Sequence, residues 1–325
     1  DMVSRGLGDV YKRQFQSSST TTSLVVGMVA GGIFGDDPII AVSAAVPYIM
    51  GANIGTSITN TIVSMGHIGD KIEFKRAFSA SIVHDFFNIL SVAILFPLEI
   101  LFGIISKSGI WLSTALVGSA EISFNSPIKL LTKPSVNFIK ELTDNQQIMN
   151  ENFLLLLLAI SFLFFSLRNL TKLIKSLVMF KLEAFFDTHI FKTTIRAMLF
   201  GILITFLVQS SSITTSLVVP LAGAGILKLR QIFPYTLGAN IGTTMTSILA
   251  SLATGTIQSL SVAFGHLLFN IFGIVLIWPI PQLRNIPIKL ASQFAELATQ
   301  NKAYPFLYIF IVFFVIPLTL ITIVR

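Results

Sequence analysis

One polar block occurs twice inside a greasy chain, and this doubling restricts the fold more than any other feature. Gln16-Ser17-Ser18-Ser19 leads through Thr20, Thr21, Thr22 and Ser23 into Leu24-Val25-Val26. Gln209-Ser210-Ser211-Ser212 leads through Ile213, Thr214, Thr215 and Ser216 into Leu217-Val218-Val219, at an offset of 193. Two more blocks follow in the same order. Gly51-Ala52-Asn53-Ile54-Gly55-Thr56 returns as Gly238-Ala239-Asn240-Ile241-Gly242-Thr243 at an offset of 187, and His84 to Asn88 returns as His266 to Asn270 at 182. Three blocks in one order with a slowly drifting offset mark a duplicated unit with small insertions and deletions.

The surroundings of these blocks are apolar. Hydrophobic residues make up 53% of 325, charged residues 11%, and the mean hydropathy is +0.82. A soluble domain carries about 25% charged residues, so the chain reads as an integral membrane protein. Its apolar segments (20–35, 39–69, 77–105, 109–120, 152–168, 197–208, 213–227, 232–253, 258–280 and 304–324) suit helices, not the alternating segments of a barrel. The fold class is an all-α polytopic membrane protein. The net charge of +7 then speaks of membrane orientation, not of nucleic acid. The absence of cysteine excludes disulfides and thiolate metal sites, and the four His residues show no metal-ligand spacing. His84 and His266 read as hydrogen-bonded packing residues.

Several apolar segments are too short to span a bilayer, which takes ~20 residues. Segments 39–69 and 232–253 carry Gly and Asn in their middle, and both are expected to be broken helices. Short or Gly-interrupted segments at matching places in two halves point to a transporter binding site.

Charge in the turns orients the copies. After the first Ser block comes Asp36-Asp37, and after the second Lys228-Leu229-Arg230. After the first Gly-Asn block come Lys71, Lys75 and Arg76, and after the second an uncharged Ala253 to Ile257. Equivalent turns carry opposite bias, so the two repeats are expected to have inverted topology. Turns 35–38, 121–151 and 253–258 would lie outside, and 70–76, 168–196 and 228–230 inside. Segments 197–208 and 213–227 would then form a re-entrant hairpin with Gln209 to Ser212 at its tip, mirrored by the first copy.

The organisation expected is a leader, non-native or unstructured, over 1–14 and a first repeat over 15–121 that lacks its N-terminal helices. An extracellular or periplasmic loop follows over 122–151, then a linking helix with a cytoplasmic interfacial segment over 152–196. The second repeat covers 197–299 and a C-terminal transmembrane helix 300–325. The interfacial segment has Leu173, Ile174, Leu177 and Phe180 on its apolar side.

The chemistry lies in the tips. Ser17, Ser18 and Ser19, and Ser210, Ser211 and Ser212, offer many hydroxyl donors at the expected start of a helix, where free backbone N–H groups and the dipole suit an anion such as phosphate. Side-chain oxygens of Gln16, Gln209, Asn53, Asn240, Thr56 and Thr243 suit Na⁺. Gluing helices together is the alternative role for such groups. Asp85 stands within an apolar segment where its repeat partner is Leu267, so packing does not demand the acid, and an intramembrane acid points to function. Asn88 and Asn270 are equally compatible with helix packing and site lining. No Lys or Arg lies inside the two Gly-Asn blocks, so a bound anion would draw its compensating charge from sodium.

With its paired Gln-Ser-Ser-Ser blocks, each followed by Gly-Ala-Asn-Ile-Gly-Thr, the chain resembles the type II sodium-phosphate cotransporter family. Ile49 to Val63 and Arg76 to Asp85 are especially similar to animal members. The resemblance covers Gln16 to the end. It implies inward transport of inorganic phosphate coupled to Na⁺ across a plasma or bacterial inner membrane, with phosphate on the two Ser triplets. Sodium contacts would involve Gln16, Gln209, Asn53, Thr56, Asn240, Thr243 and Asp85. An Asp at position 85 goes with electrogenic coupling in the family, whereas Ser79 and Ser81 replace the Ala usual in electrogenic members. The expected partners are phosphate, Na⁺ and lipid, with no nucleic acid and no cofactor beyond the coupling ion. A sodium-coupled carrier of sulfate or arsenate is the alternative. An intramembrane hydrolase fits badly, because it needs one activated Ser with a base in reach, not twin Ser blocks.

Overall fold

The computed structural model describes residues 18–35, 37–117, 190–301 and 303–315, with scattered positions between 134 and 162. The leader, Gln16, Ser17, the interfacial segment to 189, most of loop 122–151 and the chain after 315 lie outside the described residues.

Every regular element among the described residues is helical. In chain order these are α1 (Ser18–Ala30), α2 (Pro38–Ile54), α3 (Ile58–Ser64), α4 (Lys71–Phe102), α5 (Ile104–Val117), α6 (Thr194–Val208), α7 (Ser211–Gly223), α8 (Leu229–Thr254), α9 (Ile257–Ile277), α10 (Pro281–Gln300) and α11 (Ala303–Phe310). Among the described residues, three stretches are long and apolar enough to cross a membrane: Pro38–His67, Lys71–Phe102 and Ile257–Ile277. Among the shorter apolar helices are α5, α6 and α7. The chain is an all-α membrane protein.

Local chemistry sets the helix ends. Asp37 accepts from the N–H groups of Ile39 and Ile40, and Asp70 from those of Ile72 and Glu73. Thr193, Ser210 and Thr256 cap α6, α7 and α9 through their hydroxyls. Left-handed Gly103 (φ 62°) and Gly255 (φ 67°) end α4 and α8. At the α4–α5 elbow the buried Glu99 carboxylate accepts from Ile105 N at 2.6 Å. It thereby caps the helix that follows its own.

Packing relates the two copies crosswise. The final helix of each copy lies on the His-bearing helix of the other, α5 on α9 and α10 on α4. A Cβ on Gly109 of α5 would stand 2.5 Å from Ser261 O, and Ser113 bonds Ser261 at 2.6 Å. Small residues therefore bring these backbones together. Helix α1 ends beside the start of α9, where Ser259 Oγ donates to Val26 O at 3.3 Å. Helix α7 ends beside another turn, with Gly223 against the His67 ring and Gly225 against the Arg76 guanidinium.

One expected break is present and its counterpart is absent. The first Gly-Asn segment is interrupted by a 3₁₀ turn at Gly55–Ser57 between α2 and α3, but α8 runs unbroken from Leu229 to Thr254. In α8 the glycines serve close approach instead. A Cβ on Gly238 would collide with Met198 O, and one on Gly242 with Thr205 Cβ and Ile202 O, all on α6. At Gly51 and Gly55 a Cβ would meet nothing within 4 Å. Helix α10 was absent from the apolar segments, because its charged and amide residues lower its hydropathy. Pro287, Ala291, Ala295 and Ala298 form its buried side.

Candidate functional site

Helices α6 and α7 are joined through Gln209 and Ser210 alone. Gln209 adopts φ 52°, ψ 27°, and it is the one non-glycine residue with positive φ among the described residues. A non-glycine residue in the left-handed region stores strain and is often found at functional sites. Its carbonyl accepts from Ser19 Oγ at 3.1 Å, across 190 residues. Ser212 Oγ donates to Thr56 O at 3.1 Å, at the 3₁₀ break of the other copy. The two Ser blocks and the first Gly-Asn break therefore come together. From this meeting point α1 and α7 run to different turns, as described above.

The start of α7 is equipped for an anion. Ile213 N bonds Ser210 Oγ and Thr214 N bonds Ser210 O, whereas the N–H groups of Ser211 and Ser212 precede the first intrahelical bond. Ser18, Ser19, Ser211 and Ser212 are all buried. The Thr56 and Thr243 hydroxyls donate to the carbonyls of Ala52 and Ala239, leaving their lone pairs as acceptors.

The Asn side chains are engaged in a crossed network. Asn53 accepts from His266 Nε2 at 3.2 Å and donates to Asn270 Oδ1 at 3.2 Å. Asn240 accepts from His84 Nε2 and donates to Asn88 Oδ1 at 2.8 Å. Asn88 donates onward to Asn53 O at 2.7 Å, and His266 Nδ1 meets Ser247 Oγ at 3.1 Å. Each Asn of one copy thus holds the His and the Asn of the other. This satisfies the packing role expected for both His residues, and Asn88 and Asn270 join it. The side-chain oxygens of Asn53 and Asn240 each engage one lone pair with a His ring nitrogen.

Asp85 faces elsewhere. One position along α4 from His84, it is fully buried and its Oδ2 accepts from Tyr308 Oη of α11 at 2.8 Å. Its Oδ1 has no hydrogen-bond partner and stands 3.7 Å from His84 Nδ1. The Tyr308 ring packs against Phe78, Phe86 and Phe294. An orphaned carboxylate oxygen is costly unless a cation or a proton meets it. Among the described residues the other buried acidic, basic or His side chains are His84, Glu99 and His266, so no buried Lys or Arg accompanies the Ser blocks.

Some participants escaped the sequence reading. Asn60 donates to Thr215 Oγ1 at 2.7 Å, tying α3 to α7, and its Oδ1 is buried without a hydrogen-bond partner. The 3₁₀ break at Gly55–Ser57 separates Asn60 from Asn53, so helical spacing from Asn53 gave no signal. Tyr235 Oη donates to Thr214 O at 2.9 Å and braces α7 from α8. Tyr308 carried no signal, because 223 residues separate it from Asp85.

A family profile described as Na+/Pi-cotransporter matches residues 4–119 and 162–286. Sodium-dependent phosphate transport protein 2B of Pongo abelii is 34% identical over 394 residues, covering 94% of this chain and 56% of the relative. The protein of the same name from Homo sapiens is 33% identical, with the same coverage. Sodium-dependent phosphate transport protein 2A of Mus musculus is 33% identical over 380 residues, covering 93% of this chain and 57% of the relative. The chain spans about half the length of the curated relatives it matches. No solved structure matches it.

Proposed function

This chain belongs to the Na+/Pi-cotransporter family, and we propose that it carries inorganic phosphate inward, coupled to Na⁺. The observation that carries this reading is the meeting of the two Ser blocks, with Ser19 bonded to Gln209 O and Ser212 to Thr56 O. Phosphate would sit between Ser17, Ser18 and Ser19 and Ser210, Ser211 and Ser212, facing the start of α7. A helix start supplies N–H donors and the positive dipole end without a charged side chain.

Because no buried Lys or Arg is described beside the blocks, Na⁺ would supply the balancing charge, and coupling follows from that need. The Gln16 and Gln209 side chains and the lone pairs of Thr56 and Thr243 are the sodium ligands proposed near the blocks. Asn53 and Asn240 would add the second lone pair of their side-chain oxygens, the first being engaged by a His ring. Asp85 would hold a further Na⁺ on its unpartnered oxygen, at a distinct place between α4 and α11. Inverted topology is part of the proposal, supported by the crossed contacts and by the different turns that α1 and α7 reach. Two mirrored half-sites meeting at one point give alternating access a fixed centre.

The test is uptake of labelled phosphate by proteoliposomes under an inward Na⁺ gradient. Uptake should depend on Na⁺ and fall at least ~10-fold in Ser211→Ala, the loss of a hydrogen bond to a charged group being worth about 1.5–3 kcal/mol. Undiminished uptake in both Ser18→Ala and Ser211→Ala would sink the site assignment. Equal uptake of sulfate, without competition from phosphate, would favour the other-oxyanion carrier instead.

A further inference from the structure

A cavity with a basic rim lies away from the Ser blocks. It has a volume of about 490 Å³ and opens between the start of α4, the α10 face opposite it and Leu229 at the start of α8. Lys71, Lys75 and Arg76 line it, with Ser79 and Ser292 among the wall hydroxyls. One carboxylate, Glu296, shares the cavity and pairs with Lys75. Lys71 and Arg76 form no ion pair among the described residues.

Nearby carboxylates reduce this excess without cancelling it. Asp70, which accepts from Ile72 N and Glu73 N, keeps its negative charge and attracts Arg76, and Glu73 lies beside His67. Lys228 and Arg230 flank Leu229 and add positive potential at the rim. Arg76 is held in place, since its guanidinium lies over Gly225, whose φ of +76° excludes most side chains. Cations of one sign in a walled recess focus the field on an anion. Arg supplies a planar fork that matches phosphate oxygens, and Lys a point charge. The cavity has a mouth rather than a seal, with Lys71 and Arg76 both exposed. A membrane-embedded headgroup or a dissolved ion could therefore enter from the surface.

We propose that this cavity binds a phosphate group, carried either by an anionic lipid headgroup or by free inorganic phosphate. The inference does not require that the chain transport phosphate. Basic pockets between membrane helices on the cytoplasmic side hold such headgroups. The same chemistry would serve a phosphate ion leaving the Ser blocks.

The experiment measures binding by isothermal calorimetry to the purified full chain in detergent, in Na⁺-free buffer. The probes are a short-chain phosphatidylinositol bisphosphate and inorganic phosphate. Lys71→Ala/Arg76→Ala should weaken binding about tenfold or more, at roughly 1 kcal/mol per cation. Glu296→Gln should tighten it, because it removes the competing carboxylate and frees Lys75. Lys289→Ala, outside the cavity lining, should change nothing. The opposite signs expected for the first two variants separate a binding role from a folding defect. Binding of the phosphoinositide alone identifies a lipid site. Binding of both probes, with the same dependence on Lys71 and Arg76, identifies a free-phosphate subsite as well. If neither probe binds, or if binding ignores Lys71, Arg76 and Glu296, the proposal is overturned. It is equally overturned if the sole binding seen is of inorganic phosphate, survives the double variant and is lost in Ser211→Ala, since that binding belongs to the Ser blocks.

Discussion

Asp85 concentrates the residue-scale questions. Its repeat partner Leu267 shows that the fold tolerates an apolar residue at the equivalent place, while its own Oδ1 lacks a hydrogen-bond partner in the described structure. Asp85→Gly should abolish phosphate-evoked net charge movement in voltage-clamped proteoliposomes and leave some electroneutral uptake. An unchanged current would remove Asp85 from sodium binding. Tyr308 donates to the other carboxylate oxygen, so Tyr308→Phe should raise the Na⁺ concentration for half-maximal uptake several-fold and leave phosphate affinity nearly unaltered. At the crossed network, Asn240→Ala would remove the acceptor for His84 Nε2 and the donor to the buried Asn88 Oδ1. It should lower stability by about 1–3 kcal/mol, the usual cost of one unsatisfied buried polar group, read as a lower midpoint of thermal unfolding in detergent.

At the scale of elements, caps and glycines decide what each helix does. Backbone hydrogen bonds from Glu73 and Ile72 hold the Asp70 carboxyl below its usual value of 3.8, with a smaller contribution from Arg76. A carboxyl whose folded pKa is depressed stabilises above its unfolded pKa and loses that contribution as pH falls through the folded value. Asp70→Ala should therefore lower the unfolding midpoint at neutral pH, and the gap from the parent protein should narrow below about pH 4. In α8 the glycines work at a helix interface. Gly238→Ala would drive a Cβ into Met198 O and should separate α6 from α8 at a cost of about 1–3 kcal/mol. Gly51→Ala, at the matching place in the first copy, meets no described atom within 4 Å and should be milder. Equal effects of the two substitutions would refute this assignment. The sequence alone could not separate these roles, because the two Gly-Ala-Asn-Ile-Gly-Thr strings are identical and differ only in the neighbour each meets.

At the scale of the whole molecule, the inverted arrangement makes its own prediction, and a chain without cysteine offers a clean background. Asp37→Cys should react with an impermeant maleimide from one side of a sealed vesicle, and Lys228→Cys from the other. Labelling of both from the same side would refute inversion. The crossed packing of α5 on α9 and α10 on α4 further implies that neither copy buries its own polar face. Each copy expressed alone is expected to aggregate, and co-expression should restore a stable complex, scored by size-exclusion chromatography.

The sequence by itself determined the all-α membrane class, the duplication, the Gln209–Ser210 turn between two short helices and the position of every polar block. Hydropathy and internal repetition are one-dimensional properties, so they can be read without coordinates. It also supplied the candidate residues, Gln16 to Ser19, Asn53, Thr56 and Asp85 in one copy and Gln209 to Ser212, Asn240 and Thr243 in the other. Tertiary structure alone decided which of them meet. It engaged Asn53 and Asn240 with His residues of the opposite copy, turned Asp85 toward Tyr308, and kept α8 straight where a break was expected. The reason is physical: a polar group inside a membrane protein must find a partner there. Which partner it finds depends on packing between segments separated by some 150 to 220 residues, and no local pattern encodes that.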